Sequence, residues 1–394
     1  MAYLIHGFLL LLSAIGLFLS LWILIPAPVF ALLPLSVGAP EVSPWLMALN
    51  AIALLFLFQG NRYPLRRVAI AASVIGLAIS AWPLLQWPAT QQQIEAQVAS
   101  VIPSAELAQV PRSLQKQWRS HPFSLSTVFF GIPTPEVRQD TIQFAAPDQV
   151  PLSLEVYRPS QVGQYPTLVV IYGGAWRSGT PKQDAEFNRY IAKQGYSVVA
   201  IDYRHAPQYQ FPTQLEDVRT AIAYIQNNAQ KLEVDVNRMA VLGRSAGAHL
   251  AMLAAYPPDS PPFRAVINYY GPVDLTLGYN DPPVPDPIDT RAVLRAFLGS
   301  TPQEQAERYR VASPYTYAEG RLPPSLLIYG KRDHIVKSVF GRRLYEKLQA
   351  TGNSAILIEI PWAEHAFDAV FQGVSNQIAL YYTERFLAWA LSSS

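Results

Sequence analysis

A serine between small residues lies directly after a short apolar run, in a position suited to a nucleophile. The segment Gly243-Arg244-Ser245-Ala246-Gly247 fits the pattern G-x-S-x-G, follows the strand-like run Met239–Leu242 and leads into the helix-like stretch Ala246–Tyr256. Where a strand turns abruptly into a helix, a serine at the corner is exposed, and small neighbours avoid a steric clash. The amino terminus of the helix also favours developing negative charge. The pattern therefore predicts Ser245 as the nucleophile of an acyl transfer.

A serine hydroxyl is a weak nucleophile unless a base removes its proton, and histidine commonly serves as that base. Three histidines follow Ser245 in the chain, namely His249, His334 and His365. His249 lies one helical turn beyond the serine, and His334 adjoins the candidate acid, so both are poorly placed to face the serine. His365 lies in a loop just after the apolar run Ala355–Ile360. We therefore predict His365 as the general base.

The candidate acid is Asp333, in the loop that follows the apolar run Ser325–Tyr329. A carboxylate at this point would orient the imidazole and stabilise its charged form. Glu364 and Asp368 are alternatives, but residues so close to His365 in the chain seldom reach the far nitrogen of its ring. A water-exposed loop carboxylate is the alternative interpretation of Asp333. The order of serine, acid and histidine along the chain is the one expected when the serine follows a strand-to-helix turn.

Acyl transfer also needs donors for the oxyanion of the tetrahedral intermediate, and one such donor contributes about 3 kcal/mol. The stretch Tyr172–Trp176 (YGGAW) follows the buried-strand candidate Thr167–Tyr172. Its small residues allow the backbone to approach a substrate closely. An ordinary Gly-Gly turn is the alternative. The predicted backbone donors are Gly173, Gly174, Ala175 and Ala246.

Aromatic residues near these loops are candidate walls of a substrate pocket, although a place in the aromatic core is the alternative for each. A Pro- and Asp-rich insertion between Leu275 and Arg310 is expected to lie above the strand ends as part of a lid. The pocket candidates are Tyr172, Trp176, Tyr270, Trp362 and Phe367.

The elements that position these loops alternate between β-rich runs and helical patterns from about Thr141 onward, which indicates a mostly parallel sheet covered on both faces. In such sheets, chemistry collects at the carboxyl ends of the strands. The strand candidates are Thr167–Tyr172, Ser197–Ile201, Met239–Leu242, Ala265–Tyr269, Ser325–Tyr329 and Ala355–Ile360. The helix candidates are Asp184–Gln194, Leu215–Asn228, Ala246–Tyr256, Val339–Thr351 and Ser375–Leu391.

The first part of the chain has the pattern of a membrane anchor. Its three apolar runs, Tyr3–Ile25, Val42–Gly60 and Val68–Leu85, predict about three transmembrane helices, because such runs can cross a hydrocarbon core of about 30 Å. A cleaved signal peptide is the alternative for the first run. We predict an anchor over residues 1–90, a polar connector over 91–130 and a catalytic domain over 131–394.

Three arginines lie between the second and third runs, namely Arg62, Arg66 and Arg67. Short cytoplasmic loops carry an excess of Lys and Arg, so this loop is expected to be cytoplasmic. The third run then carries the chain across the membrane. The prediction is a multi-pass membrane protein whose catalytic part lies on the extracytoplasmic side.

The composition supports a lipid partner and excludes several other classes. Half of the 394 residues are apolar and only 15% are charged, which is more apolar than a typical soluble protein. The net charge is +2 and the basic residues are scattered, so nucleic acid is not an expected partner. The absence of cysteine excludes disulfides, thiolate metal sites and a cysteine nucleophile. The sequence leaves the oligomeric state open.

From about Thr141 to the carboxyl terminus, the chain resembles the hormone-sensitive-lipase-like and BD-FAE-like carboxylesterases of the α/β-hydrolase superfamily. Tyr172–Trp176 is similar to the HGGGW oxyanion loop of that family, and Asp202–Pro207 with Phe211-Pro212 is similar to its DYRLAP and FP motifs. Gly243–Gly247 resembles its nucleophile turn. Two departures occur in the oxyanion loop, where Tyr172 replaces the usual histidine and Ala175 the third glycine.

The resemblance implies an α/β-hydrolase fold and hydrolysis of a small-molecule ester through an acyl-enzyme, with no metal and no organic cofactor. Two other functions remain open. The same triad chemistry hydrolyses amides in enzymes of the aryl formamidase type. The fold could also serve a membrane-tethered binding protein without turnover, for which a missing triad member would be the sign.

Overall fold

The computed structural model describes residues 2–59, 64–133 and 135–392. Gly60 of the predicted second span and Arg62 of the basic loop lie outside the described residues. The remaining chain forms a small helical bundle followed by a large α/β unit.

The bundle consists of three helices that pack against one another, α1 (Ala2–Leu21), α3 (Ser43–Gln59) and α4 (Arg66–Val101). A shorter helix, α2 (Leu33–Glu41), follows a 3-10 turn at Phe30–Leu32 and joins α1 to α3. This bundle places polar and small residues inside and large apolar side chains outside.

Asn50 of α3 is the clearest polar group of the bundle interior. It is fully buried and donates to Ser20 Oγ at 3.1 Å. A Cβ added at Gly16 or Gly76 would lie 2.5 Å or 2.4 Å from Asn50 Oδ1, so these glycines let the three helices approach closely. The large exposed apolar residues of the bundle include Ile5, Phe8, Leu11, Ile15, Phe18, Ile52, Leu55, Phe56, Phe58, Val68, Val74, Ile75 and Leu85.

Among the described residues, one helix is long and apolar enough by itself to cross a membrane, namely α4. The segments Phe30–Glu41 and Ser43–Gln59 are together long and apolar enough to cross a membrane, but they bend by 78° at their junction. They count as a second span only if the bent pair is treated as one crossing. The prediction of about three separate transmembrane helices is therefore not supported by length and composition. The bend, which lies in a Pro-rich stretch, is the physical reason for the second run.

Helix α4 continues past residue 90, the predicted end of the anchor, and ends at Val101. Ile94 of α4 and Ile102 just beyond it are buried in the main hydrophobic core, so this end of the helix belongs to the α/β unit by its packing. Three short helices complete the connection, α5 (Ser104–Gln109), α6 (Arg112–Gln115) and α7 (Leu125–Phe130).

Eight strands form one sheet in the order β1-β2-β4-β3-β5-β6-β7-β8. The first two strand pairs in that order, β1 with β2 and β2 with β4, are antiparallel. All the other neighbouring pairs are parallel. The strands are β1 (Arg138–Ala145), β2 (Leu152–Arg158), β3 (Tyr165–Ile171), β4 (Ser197–Ile201), β5 (Val234–Arg244), β6 (Ala265–Tyr269), β7 (Ser325–Gly330) and β8 (Ala355–Ile360).

The prediction of a mostly parallel sheet is confirmed, and all six strand candidates are strands. The sequence did not predict β1 and β2. Strand β1 lies at the edge of the sheet and is largely exposed, and β2 alternates polar with apolar residues, so neither has the continuous apolar run of a central parallel strand.

Helices cover both faces of the sheet. Helices α9 and α11 pack together on one face, and α8 lies with α16 on the other, where Tyr190 of α8 donates to Glu384 of α16. The helices of this unit are α8 (Ala185–Lys193), α9 (Thr213–Asn227), α10 (Ala229–Leu232), α11 (Ala246–Ala255), α12 (Leu275–Asn280), α13 (Thr290–Leu298), α14 (Ala306–Val311), α15 (Val339–Ala350) and α16 (Val374–Ser392). All five helix candidates are helices, to within two residues at each end.

Candidate active site

The turn between β5 and α11 holds Ser245 in a backbone conformation that few residues adopt, with φ 50° and ψ −120°. The turn is tight because a Cβ at Gly243 would lie 2.2 Å from the Gly247 carbonyl oxygen, and one at Gly247 would lie 2.1 Å from the Ile171 carbonyl oxygen. Glycine at both positions therefore allows the sharp strand-to-helix corner that points the serine out of the sheet.

A chain of two hydrogen bonds joins the three residues that were predicted as a triad. His365 Nε2 lies 2.9 Å from Ser245 Oγ, and His365 Nδ1 lies 2.8 Å from Asp333 Oδ2. The three side chains follow the carboxyl ends of β5, β7 and β8. These strands belong to the consecutive parallel run β5-β6-β7-β8, so their carboxyl ends lie along the same edge of the sheet. The geometry suits transfer of a proton from the serine to a histidine that the carboxylate holds in one tautomer.

Asp333 is buried and its second oxygen is fixed by the backbone. Asp333 Oδ1 accepts from the N–H groups of Ile335 at 2.8 Å and Val336 at 2.7 Å. Burial raises the pKa of the Asp333 carboxyl, while His365 and the N–H of Val336 oppose that rise by stabilising the carboxylate. One oxygen is therefore held by the loop and the other is left to face the imidazole.

The rival carboxylate Glu364 binds another histidine. Glu364 Oε2 lies 2.6 Å from His334 Nδ1, and Glu364 Oε1 accepts from the backbone N–H groups of His334 at 2.6 Å and His365 at 3.0 Å. Burial lowers the pKa of His334, but the hydrogen bond and the charge of Glu364 outweigh burial, so the pKa is raised overall. Glu364 thus ties the acid loop to the histidine loop without touching the His365 ring nitrogens.

The second rival, Asp368, belongs to a buried charge network beside the serine. It pairs with Arg244 and accepts from Tyr270 Oη, and Arg244 also lies 3.4 Å from Asp184. Burial lowers the pKa of the Arg244 guanidinium, but the two carboxylates more than reverse this and hold it above its usual range. The network therefore keeps a cation and two carboxyl groups next to the nucleophile.

The predicted oxyanion loop lies against the nucleophile. A Cβ on Gly173 would approach Ser245 Cβ to 3.1 Å, and one on Gly174 would lie 2.0 Å from the Ser178 carbonyl oxygen. Gly174 has φ 141° and Ala175 φ 53°, so the loop is an unusual turn. Ala246 is the first residue of α11, where a backbone N–H has no partner within the helix. All four predicted donors line the space around Ser245.

Trp176 at the end of this loop is held by His249. Trp176 Nε1 donates to His249 Nδ1 at 3.2 Å, and His249 Nε2 lies 2.7 Å from the Ala312 carbonyl oxygen. Burial lowers the pKa of His249 to about 4, so the ring stays neutral near pH 7 and can accept from Trp176. Trp176 also stacks on Phe297 at 4.2 Å between ring centroids. His249 therefore supports the oxyanion loop and does not face the serine.

Two cavities meet at Ser245. The larger, about 660 Å³, is bordered by His365 and Tyr270, by Arg244 with its carboxylates, and by Phe30 and Leu33 from the amino-terminal part. The smaller, about 60 Å³, lies on the side of Ala246 and is lined mainly by apolar residues. The lining of the smaller cavity includes Trp176, Pro272, Leu275, Val293, Leu294, Ile335, Val336 and Phe340.

Of the five predicted pocket walls, Trp176 and Tyr270 line these cavities, and three do not. Tyr172 is buried beneath the loop, where it donates to Asp202 at 2.7 Å and stacks on Tyr203. Trp362 is buried and donates to Ser375 Oγ, and Phe367 is buried beside Tyr270. Burial of the ring in the core corrects the pocket prediction for these three residues. The insertion after Leu275 does lie over the strand ends, as α12 and α13 line the smaller cavity.

Sequence reasoning missed several residues at the site. Phe30 and Leu33 lie more than 200 positions from Ser245, and nothing in their Pro-rich surroundings signals a contact with it. Ile335 borders both cavities, and its place two residues after the predicted acid was a usable signal. Within residues 2–59, 64–133 and 135–392, no cluster of three or more His, Asp or Glu side chains is arranged to hold a metal ion.

Fold and site together define an α/β-hydrolase with the layout of a serine hydrolase. Residues 154–348, from β2 into α15, match the BD-FAE family model. The chain is similar to two proteins of Mycobacterium tuberculosis, the probable carboxylic ester hydrolase LipM (30% identity) and the esterase LipC (33% identity). The match to LipM covers 57% of this chain and 54% of LipM, and the match to LipC covers 55% of this chain and 57% of LipC. The chain therefore spans only about half the length of each relative.

A solved structure extends this likeness to the fold. The propionate-bound thermophilic esterase Est2 of the Planctomycetes species Thermogutta terrifontis superimposes with a TM-score of 0.52 at 25% identity, over 64% of this chain and 92% of that chain. The comparisons support an esterase of the serine hydrolase type for the α/β unit. The matched family model begins at residue 154, after the amino-terminal helices.

Proposed function

We propose that the protein hydrolyses carboxylic esters through an acyl-enzyme on Ser245, with His365 as base and acid and Asp333 as the group that orients the imidazole. The observation that carries this proposal is the hydrogen-bonded chain of 2.9 Å and 2.8 Å through the three side chains. The esterase relatives support the same reaction class.

In the first half of the reaction, Ser245 Oγ attacks the ester carbonyl carbon while His365 Nε2 takes the hydroxyl proton. The carbonyl oxygen becomes an oxyanion, which accepts from backbone N–H groups of the Gly173–Ala175 loop and from the N–H of Ala246. Such donors are fixed before the reaction begins, so they stabilise the transition state without reorganisation. Asp333 stabilises the imidazolium that forms.

In the second half, the carbon–oxygen bond to the alcohol breaks, and the His365 Nε2–H gives its proton to the departing alkoxide. Water then attacks the acyl-enzyme with His365 again as base, and the carboxylic acid leaves as Ser245 regains its proton. The chemistry uses only groups of this chain and one water.

Turnover of p-nitrophenyl acetate, compared with an aryl formamide, tests the bond that is cleaved. We expect the purified full-length protein to hydrolyse the ester, and to be labelled by a fluorophosphonate probe. Preference for the formamide would identify an amidase of the aryl formamidase type instead. Absence of both turnover and labelling would identify the third possibility, a binding protein without catalysis.

We further propose that α1, α3 and α4 form a membrane-embedded bundle that anchors the catalytic part, with the anchor in residues 1–90, the connector in 91–130 and the catalytic domain in 131–394. The support is the arrangement of side chains, since a bundle with polar and small residues inside and large apolar residues outside suits lipid and not water. Helix α1 has 20 residues, which gives about 30 Å of length.

We expect the catalytic domain to lie outside the cytoplasm, because Arg62, Arg66 and Arg67 favour a cytoplasmic loop before α4. Of these three residues, Arg62 lies outside the described part of the chain. A reporter that is active only outside the cytoplasm, fused to the carboxyl terminus, should be active. Activity of a cytoplasm-specific reporter at the same point would contradict this orientation.

Replacing the three arginines with glutamine should weaken the preference for one orientation. The matched control replaces three arginines with exposed side chains in the catalytic part, Arg219, Arg238 and Arg310. This control removes the same charge but should leave the reporter signal unchanged, since those residues lie far from the membrane-flanking loops in the chain.

A further inference from the structure

The segment between α1 and α3 is bound to the loop that carries the acid and to the start of α16, the helix that follows the histidine loop. Arg332, next to the acid, donates to the Leu24 carbonyl oxygen. At the other end of the segment, the fully buried Glu41 accepts from the Ser375 N–H at 2.7 Å, at the start of α16. Two polar contacts therefore hold residues 24–41 across the mouth of the site.

This segment supplies part of the wall of the larger cavity. Phe30 and Leu33 border the same space as Ser245 and His365. Phe30 is 67% exposed, although a free phenyl ring favours burial. The mouth of the cavity is therefore apolar on the side of the anchor and open there.

The apolar mouth lies near the end of the first apolar run. Phe30 follows Ile25 by five residues, which separates them by at most about 18 Å of extended chain. Leu24, Ile25 and Val29 are exposed as well. If the bundle is embedded in lipid, this group of side chains lies at the boundary between hydrocarbon and headgroups, where Phe and Leu side chains bury apolar area.

The position of the histidine assigns the two cavities to the two halves of an ester. His365 must protonate the leaving alkoxide, and it borders the larger cavity and not the smaller one. The alcohol half therefore lies in the larger cavity, toward Phe30 and Leu33, and the acyl half lies in the smaller one. At roughly 10–15 Å³ for each water-sized group, the smaller cavity of about 60 Å³ holds only a short acyl chain.

The charges beside the larger cavity disfavour an anionic alcohol. Arg244 is matched there by Asp184 and Asp368, so its positive charge is already neutralised by two partly buried carboxyl groups. An added phosphate or carboxylate close to the ester would face these two groups. An uncharged alcohol avoids that repulsion.

We propose that the substrate is a short-chain acyl ester of an uncharged, lipophilic alcohol, which enters from the bilayer with its alcohol chain passing over Phe30 and Leu33. This inference rests on the proposed ester hydrolysis and names the substrate class of that site. It follows from a small acyl cavity, an alcohol cavity bordered by the histidine, and a membrane-proximal apolar rim.

Two isomeric esters test the assignment, hexadecyl acetate and ethyl hexadecanoate, which have the same formula but opposite distributions of chain length. With the full-length protein in phosphatidylcholine vesicles, we expect hexadecyl acetate to be cleaved at least about tenfold faster. Equal rates, or faster cleavage of ethyl hexadecanoate, would overturn the proposal. Hydrolysis of p-nitrophenyl acetate in the same vesicles separates this outcome from failure of the esterase function, which would abolish all three reactions.

The double variant Phe30→Ser with Leu33→Ser tests the route of the alcohol chain. We expect the kcat/KM for hexadecyl acetate, divided by that for p-nitrophenyl acetate, to fall about tenfold. The matched control is Val162→Ser. Val162 is an exposed apolar residue just before the amino end of β3, whereas the site lies at the carboxyl ends of the strands, so the ratio of the two kcat/KM values should equal that of the unaltered protein. Fluorophosphonate labelling reports whether the double variant keeps an intact site. An unchanged ratio in a fully labelled double variant would overturn the proposed route.

Discussion

Replacement of Ser245 by alanine is expected to lower kcat for p-nitrophenyl acetate by about 10⁵-fold to 10⁶-fold and to abolish labelling by a fluorophosphonate probe. The hydroxyl is the only group lost, and without it no acyl-enzyme can form. The residual rate would come from the oxyanion donors and from substrate binding, which do not need the serine.

The same variant should fold normally. Alanine keeps the Cβ that the turn already accommodates at φ 50°, and the lost hydrogen bond is the one to His365. The melting temperature should therefore stay within about 2 °C of the parent protein. A matched control is Ser260→Ala, in the loop that leads toward the amino end of β6, which should retain full activity and labelling. Labelling that persists in Ser245→Ala would identify a different nucleophile.

Replacement of Asp333 by asparagine is expected to lower kcat by about 10⁴-fold. The reason lies in how the two carboxylate oxygens are used. Oδ1 accepts from the N–H groups of Ile335 and Val336, so the asparagine oxygen should occupy that place. Its NH₂ group would then face His365 Nδ1 and donate to it. The imidazole would carry its proton on Nε2 and could no longer accept one from Ser245.

The matched control for this variant is Glu364→Gln, which makes the same chemical change in the next loop. Glu364 binds His334 and two backbone N–H groups, and it does not contact the His365 ring nitrogens. Its kcat should therefore fall less than tenfold, as measured with p-nitrophenyl acetate. A larger loss in Glu364→Gln than in Asp333→Asn would make Glu364 the acid of the site.

Much of the α/β unit could be predicted from the amino-acid sequence, because central parallel strands are buried on both faces and stand out as apolar runs. Strands β4, β6 and β8 begin and end at the predicted residues. The candidate triad followed from the same pattern, since parallel strands bring their carboxyl ends to one edge and only a few polar residues follow them. Strands β1 and β2 lack this signal, because the edge strand β1 is largely exposed and the buried strand β2 alternates polar with apolar residues.

Hydropathy was less decisive for the amino-terminal helices. It measures composition along the chain, and it separated three apolar runs without registering the 78° bend before α3 or the continuation of α4 into the core of the α/β unit. The polar interior around Asn50 was also hidden, because single Ser, Asn and Gly residues in an apolar run do not reveal that they face one another.

The sequence by itself determined which strands end at the reactive edge and which serine, acid and histidine could meet there, since periodicity and chain order report burial and succession. Only the tertiary structure decided what surrounds them. Tyr172, Trp362 and Phe367 went into the core and not into the pocket walls, and Phe30 came to border the cavity of a serine more than 200 residues away. The hydrophobic free energy of burying an apolar side chain depends on the area removed from water and not on which apolar residue covers it. The type of a residue therefore does not specify which residues it will contact.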